Sequence, residues 1–154
     1  MSLERKKWCP VKDHPDKALI LSHARDHVRS LVSGAQAKGW STGAVDKLVS
    51  YAEKACEGEG DHDLTVLGDC LIFMSQIIPV WWLDTDALVE FAIFRYKPGD
   101  INEAWEGLDQ FAKYCNCRQI VISSSASVSD RAFSRVLQRA GFVPGSINFT
   151  RSIQ

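Results

Sequence analysis

The chain has 154 residues, 45% of them apolar, with 18 Lys and Arg against 19 Asp and Glu for a net charge of −1. That size supports one folded domain with its own core and excludes a second full one. The balanced charge, with no block of one sign, argues against a dedicated nucleic-acid or anionic-membrane surface.

Arg5, Lys6 and Lys7 precede Trp8-Cys9-Pro10-Val11, but "KDHPDK" follows at once, so no secretory apolar segment is expected. No apolar run reaches the length of a membrane span. The five cysteines are odd in number and lack CxxC spacing, which reads as reduced thiols in a cytoplasmic compartment.

From Asp16 to Lys38 the residues Ala18, Leu21, Ala24, Val28, Leu31 and Val32 recur at helical spacing until Gly39. Thr42 to Cys56 repeats the pattern with Val45, Leu48, Val49 and Ala52, so two amphipathic helices joined by a short turn are expected. "LTVLGDCLIFMSQIIPVWWLDTDALVEFAIFRY" is rich in branched and aromatic residues. Gly68-Asp69 and Asp84-Thr85-Asp86 divide it into three antiparallel strands. Pro79 has no N–H for a ladder, so the middle strand should bulge or lie at an edge there.

Helical spacing returns at Ile101, Ala104, Trp105, Leu108, Phe111, Ala112 and Cys115. Arg118 to Ser123 reads as a short buried strand. Asp130 to Ala140 reads as a helix capped by Gly141, and "INFTRSI" as a closing strand. The expectation is a single domain over residues 1–154, with 1–58 mainly helical and 64–154 supplying a sheet and two helices.

This order, and the tail from "INEAWEGLDQFAKY" through "SRVLQRAGF" to "INFTRSI", resembles the GNAT superfamily of acyl-CoA-dependent N-acyltransferases. The resemblance implies an α+β fold: a mixed, mostly antiparallel sheet flanked by helices, with a helical N-terminal part and the strand holding Leu88 to Phe94 at its centre. It also implies acetyl-CoA or another acyl-CoA as cofactor and a small-molecule or protein amine as acceptor. By that likeness Arg95, Lys97, Gly99 and Ile101 are the residues expected at the CoA pyrophosphate, and Glu90 is the candidate base for the amine.

The chain departs from the family pattern at three points. The family loop is usually Gln/Arg-x-x-Gly-x-Gly/Ala, whereas Arg95-Tyr96-Lys97-Pro98-Gly99-Asp100-Ile101 has a single glycine, and Pro98 removes a donor. Asp100 with Glu103 forms a D-x-x-E capping box, so a carboxylate is expected on the N–H groups that a pyrophosphate would need. Where many members carry a Tyr to protonate the thiolate, this chain has Leu137; either another group, such as Tyr96 or Ser134, donates the proton, or no reaction occurs.

Other constellations carry less. His23 and His27 share a helix face without a clear third ligand, and with Arg25 and Arg29 nearby they read as a solvated polar face, so no metal is assigned. "ISSSASVSD" lacks the glycines of a nucleophile elbow and reads as a strand end with a helix cap at Ser129 or Asp130. Adjacent Trp81 and Trp82 point to opposite faces of a strand, one of them toward an interface or a sheet edge.

Two functions follow. One is an acyl-CoA-dependent N-acyltransferase with a degenerate phosphate loop. The other is a non-catalytic structural or interaction module of the same fold, with protein partners or self-association. Such chains resemble proteins that tailed bacteriophages encode among virion and morphogenesis genes, which would place this one in a host cytoplasm or a virion.

Overall fold

A computed structural model describes residues 4–39, 42–80, 84–122 and 130–144. Trp81 and Trp82, the serines from Ser123 to Ser129 and the expected closing strand lie outside the described residues.

The described elements run β1 (Trp8–Pro10), a 3₁₀ turn (Val11–Asp13), α1 (Lys17–Ala37), α2 (Val45–Cys56), β2 (Asp63–Leu67), β3 (Leu71–Pro79), β4 (Asp86–Arg95), α3 (Ile101–Tyr114), β5 (Gln119–Val121) and α4 (Asp130–Arg139). The strands form one five-stranded sheet in the order β1-β2-β3-β4-β5. All neighbours are antiparallel except β4 and β5, whose parallel pairing is made through the α3 crossover. The expected mixed, mostly antiparallel sheet is therefore present. The strand with Leu88 to Phe94 is interior, with β3 at the centre of the described five.

Helices cover both faces, so β2 and the start of β3 are buried without alternation. On one face Leu67, Leu71, Phe73 and Leu88 pack on Ala104, Leu108 and Phe111 of α3. On the other Leu64, Val66, Ile72 and Tyr96 pack on Ile20 of α1 and on Ala55 and Cys56 of α2. Strand β1 had no counterpart in the sequence reading. It is too short for its own period-two signal, and it is fixed from outside itself. The side chain of Gln110 in α3 accepts from Lys7 N–H at 2.7 Å and donates to the Arg5 carbonyl at 2.9 Å. Gly107 lets the helix come close, since a Cβ there would stand 2.1 Å from the Lys7 carbonyl oxygen.

The expectation for Pro79, a bulge or an edge, is met as an edge, and a bulge that the sequence did not show lies in the next strand. Pro79 ends β3 opposite Asp86, in the stretch beyond Ser75 that pairs only with β4, so it lies at an edge and no bulge forms there. The bulge is in β4: Met74 pairs with Ala92 and Ser75 with Glu90, leaving Phe91 extra. An extra residue sends two consecutive side chains to one face. Phe91 and Ala92 both turn toward α1 and α2, and Ile93 returns to the α3 side.

Candidate active site

The β4–α3 loop begins where β4 leaves the sheet. Its Tyr96 N–H donates to the Cys70 carbonyl at 3.0 Å, which ties the loop to the β2–β3 hairpin. That hairpin turns on Gly68 and Asp69, at φ of 56° and 57°, closed by Cys70 N–H to the Leu67 carbonyl at 3.2 Å. The turn is set hard against the first turn of α3. A Cβ on Gly68 would stand 2.6 Å from the Ala104 nitrogen.

Each candidate phosphate-loop residue has a definite place. Gly99 faces the hairpin: a Cβ there would lie 2.4 Å from Cys70 Cβ, so its missing side chain admits Cys70. Ile101 packs against the α3-side core. Lys97 pairs with Asp16 at the start of α1, Nζ to Oδ2 at 3.2 Å. That hydrogen bond holds the Asp16 carboxyl below, and the Lys97 ammonium above, their ordinary ranges. Arg95 is exposed at the end of β4, opposite Leu71. The expected cap at Asp100 is present, its Oδ1 accepting from Asn102 N–H at 2.9 Å.

Glu90 is buried, 7% exposed, and faces Ser75 across the β3–β4 ladder, with a Ser75 hydroxyl that finds no hydrogen-bond partner among the described residues. By strand alternation from Leu88, Glu90 looks to the α3 side of the sheet. The described β4–β5 pairing runs from Ala87 to Val89 and so ends beside it.

Of the two substitute acids, Tyr96 lies on the other face of the sheet from Glu90, and its hydroxyl donates to Asp16 Oδ2 at 3.3 Å. Burial pushes its phenol up from the usual value. Leu137 is buried at 8% exposure, and its carbonyl accepts from Phe142 N–H at 3.0 Å across Gly141, at φ 92°. The Gly-Phe sequence is thus a helix C-cap, as the sequence suggested for Gly141. Ser134 is half-buried on α4.

Sequence reasoning missed a polar cluster at the α1 start. His14, buried at 7% side-chain exposure, accepts from Asp16 N–H through Nδ1 at 3.1 Å, leaving Nε2–H to donate to Asp69 at 3.1 Å. Both ring nitrogens are used, and the cluster pins α1 to the hairpin and the loop. The signal was the "DHPD" turn, in which His14 is a local hydrogen-bonding residue.

His23 and His27 diverge. His23 meets Tyr96 edge-on at 6.5 Å, whereas His27 stacks on Phe94 at 4.7 Å and 25°. The solvated-face reading therefore fails for His27, which is half-buried, and burial lowers its pKa. Among the described residues no group of three or more His, Cys, Asp or Glu is placed to hold a metal. No described helix is long and apolar enough to cross a membrane.

No protein-family model and no curated sequence matches the chain. Two solved structures share its architecture. One is AAC(6')-Iy in complex with the bisubstrate analogue CoA-S-monomethyl-acetylneamine, at 16% identity and a TM-score of 0.50 over 84% of this chain and 93% of that one. The other is a protein of Arthrobacter sp. FB24 assigned as an acetyltransferase, at 15% identity and a TM-score of 0.52 over 99% and 94%. At such identity the likeness is one of fold: the chain has the α+β architecture of the GNAT acetyltransferases.

Proposed function

We propose that the chain uses the acetyltransferase fold as a non-catalytic structural or interaction module, its phosphate loop turned to internal packing. One observation carries this reading. The start of α3 is closed by its own chain, with Gly99 against Cys70 and Asp100 on the Asn102 N–H. A CoA pyrophosphate needs unoccupied N–H groups and room for close approach. A fixed carboxylate competes for those groups and repels a second anion at the same helix end. The loop residues do not fit the cofactor. A bacteriophage virion or morphogenesis component, working through protein partners or self-association, is the form of this reading that the sequence resemblance supports.

A specific feature favours the other reading, an N-acyltransferase using acetyl-CoA or another acyl-CoA. A carboxylate buried in an interior strand, beside an unsatisfied hydroxyl and next to the end of the β4–β5 ladder, is the kind of arrangement found in reaction sites. The AAC(6')-Iy structure holds a CoA-derived ligand in the same fold.

Acetyl-CoA consumption measured against polyamine, aminoglycoside and peptide amines separates the two. The module reading expects no turnover above the blank for the native chain or for Glu90→Gln. Turnover by the native chain that Glu90→Gln abolishes would establish the enzyme instead.

A further inference from the structure

The face of the sheet away from Glu90 holds a cavity of about 310 Å³ between α1, α2 and strands β3 and β4. Its walls are apolar: Leu31 and Val28 from α1, Leu48 from α2, Met74 and Phe94 from the sheet. The lining includes no carboxylate, ammonium or guanidinium among the described residues. Its polar atoms come from His27, His62 and Tyr51.

These three are arranged in a particular way. His27 lies flat on Phe94, with 25° between the rings, and so forms one aromatic wall. Phe91, extruded by the bulge, meets His62 edge-on at 4.7 Å, and Tyr51 lies 6.4 Å from the same imidazole. Phe91 and Tyr51 are 46% and 40% exposed and mark the mouth. A strand interior seldom spends an extra residue to bring a phenyl ring to solvent. Here the bulge sets that ring on the rim of an apolar hollow.

We infer that this cavity is a binding site for a neutral, planar heteroaromatic molecule of one or two fused rings. The volume stands at the lower end of the range for small-molecule sites, about 300–1,000 Å³, and such sites are mostly apolar with a few placed polar groups. Left unfilled, carbon-lined walls lose dispersion contacts on every side, and dry apolar cavities take up flat hydrocarbons. Charged ligands find no counter-ion. A flat ring can slide between the Phe91 edge and the stacked His27–Phe94 pair, with an imidazole nitrogen available for one hydrogen bond. The site lies across the sheet from Glu90 and stands apart from either reading of function.

The test uses indole, a neutral planar heteroaromatic of two fused rings, titrated by calorimetry into the native chain and three variants. Val28→Trp fills the hollow, Phe91→Ser removes the rim, and Val143→Ser alters an 86% exposed apolar residue elsewhere. The expected result is saturable one-to-one binding that Val28→Trp abolishes, Phe91→Ser weakens at least tenfold and Val143→Ser leaves unchanged. Absent or unsaturable binding by the native chain, or equal binding by native and Phe91→Ser chains, would overturn the assignment. Should Val28→Trp fail to fold, Phe91→Ser decides, since a half-exposed ring is removed without opening the core.

Discussion

Gly99 and Asp100, candidates for a phosphate loop in the sequence, stand against Cys70 and on the Asn102 N–H. The glycine of a phosphate loop is needed because a Cβ would hold the ligand off; here the excluded Cβ would strike Cys70 at 2.4 Å. Gly99→Ala is expected to cost about 1–3 kcal/mol, the usual range for overpacking. Asp100→Ala should cost about 1 kcal/mol, as for the loss of an N-cap. Denaturant unfolding of both variants checks these values, and unchanged midpoints would remove the structural account of the loop. His27 makes a separate claim about pH. Burial lowers its folded-state pKa below the ordinary 6.5, so its contribution is present above that value. It is lost as pH falls, because the unfolded imidazole takes a proton that the buried ring resists. The native chain should lose more stability between pH 7.5 and 5.5 than His27→Phe, and equal losses in the two would contradict this.

At the scale of elements, long periodic segments were legible and short or irregular ones were not. Helices α1, α2, α3 and α4 and strands β2 to β4 stand where periodicity and turn residues put them, within a few residues at the ends. The α1 boundaries moved from 16–38 to Lys17–Ala37, and α2 starts at Val45 after Ala44, an extended residue at ψ 136°. Strand β1 escaped because Gln110 and Gly107, a hundred residues away in sequence, define it. The β4 bulge escaped because "ALVEFAIF" is apolar at every position but Glu90, so there is no polar-apolar alternation for an extra residue to break. The bulge gives a sharp deletion test. Removing Phe91 restores an unbroken ladder with every remaining side chain on its present face, so that chain should fold cooperatively. Removing Val89 exchanges the faces of one half of the strand, and each large apolar side chain so misplaced costs about 2–5 kcal/mol. Circular dichroism and thermal melts of the two deletions should separate them clearly, and equal behaviour would refute the assigned register.

For the whole molecule, the candidate site was legible in its residues but not in its state of occupation. The sequence displayed Glu90, the single loop glycine, the capping Asp100 and Leu137, and it named the family whose fold the comparisons show. It could not display that the β2–β3 hairpin presses on the start of α3 and the loop before it, because that contact joins Gly68 to Ala104 and Cys70 to Gly99, about thirty positions or more downstream, only after the sheet has formed. In the function proposed above, this contact and the Asp100 cap close the helix start to a cofactor. The most direct measurement is the melting temperature of the native chain in millimolar CoA and acetyl-CoA. A ligand at a hundredfold excess over its dissociation constant stabilises the native state by about 2.7 kcal/mol, a shift of several degrees for a domain of this size. No shift is expected with either ligand; a saturable rise of that size would contradict the proposed module and restore the acyl-CoA site.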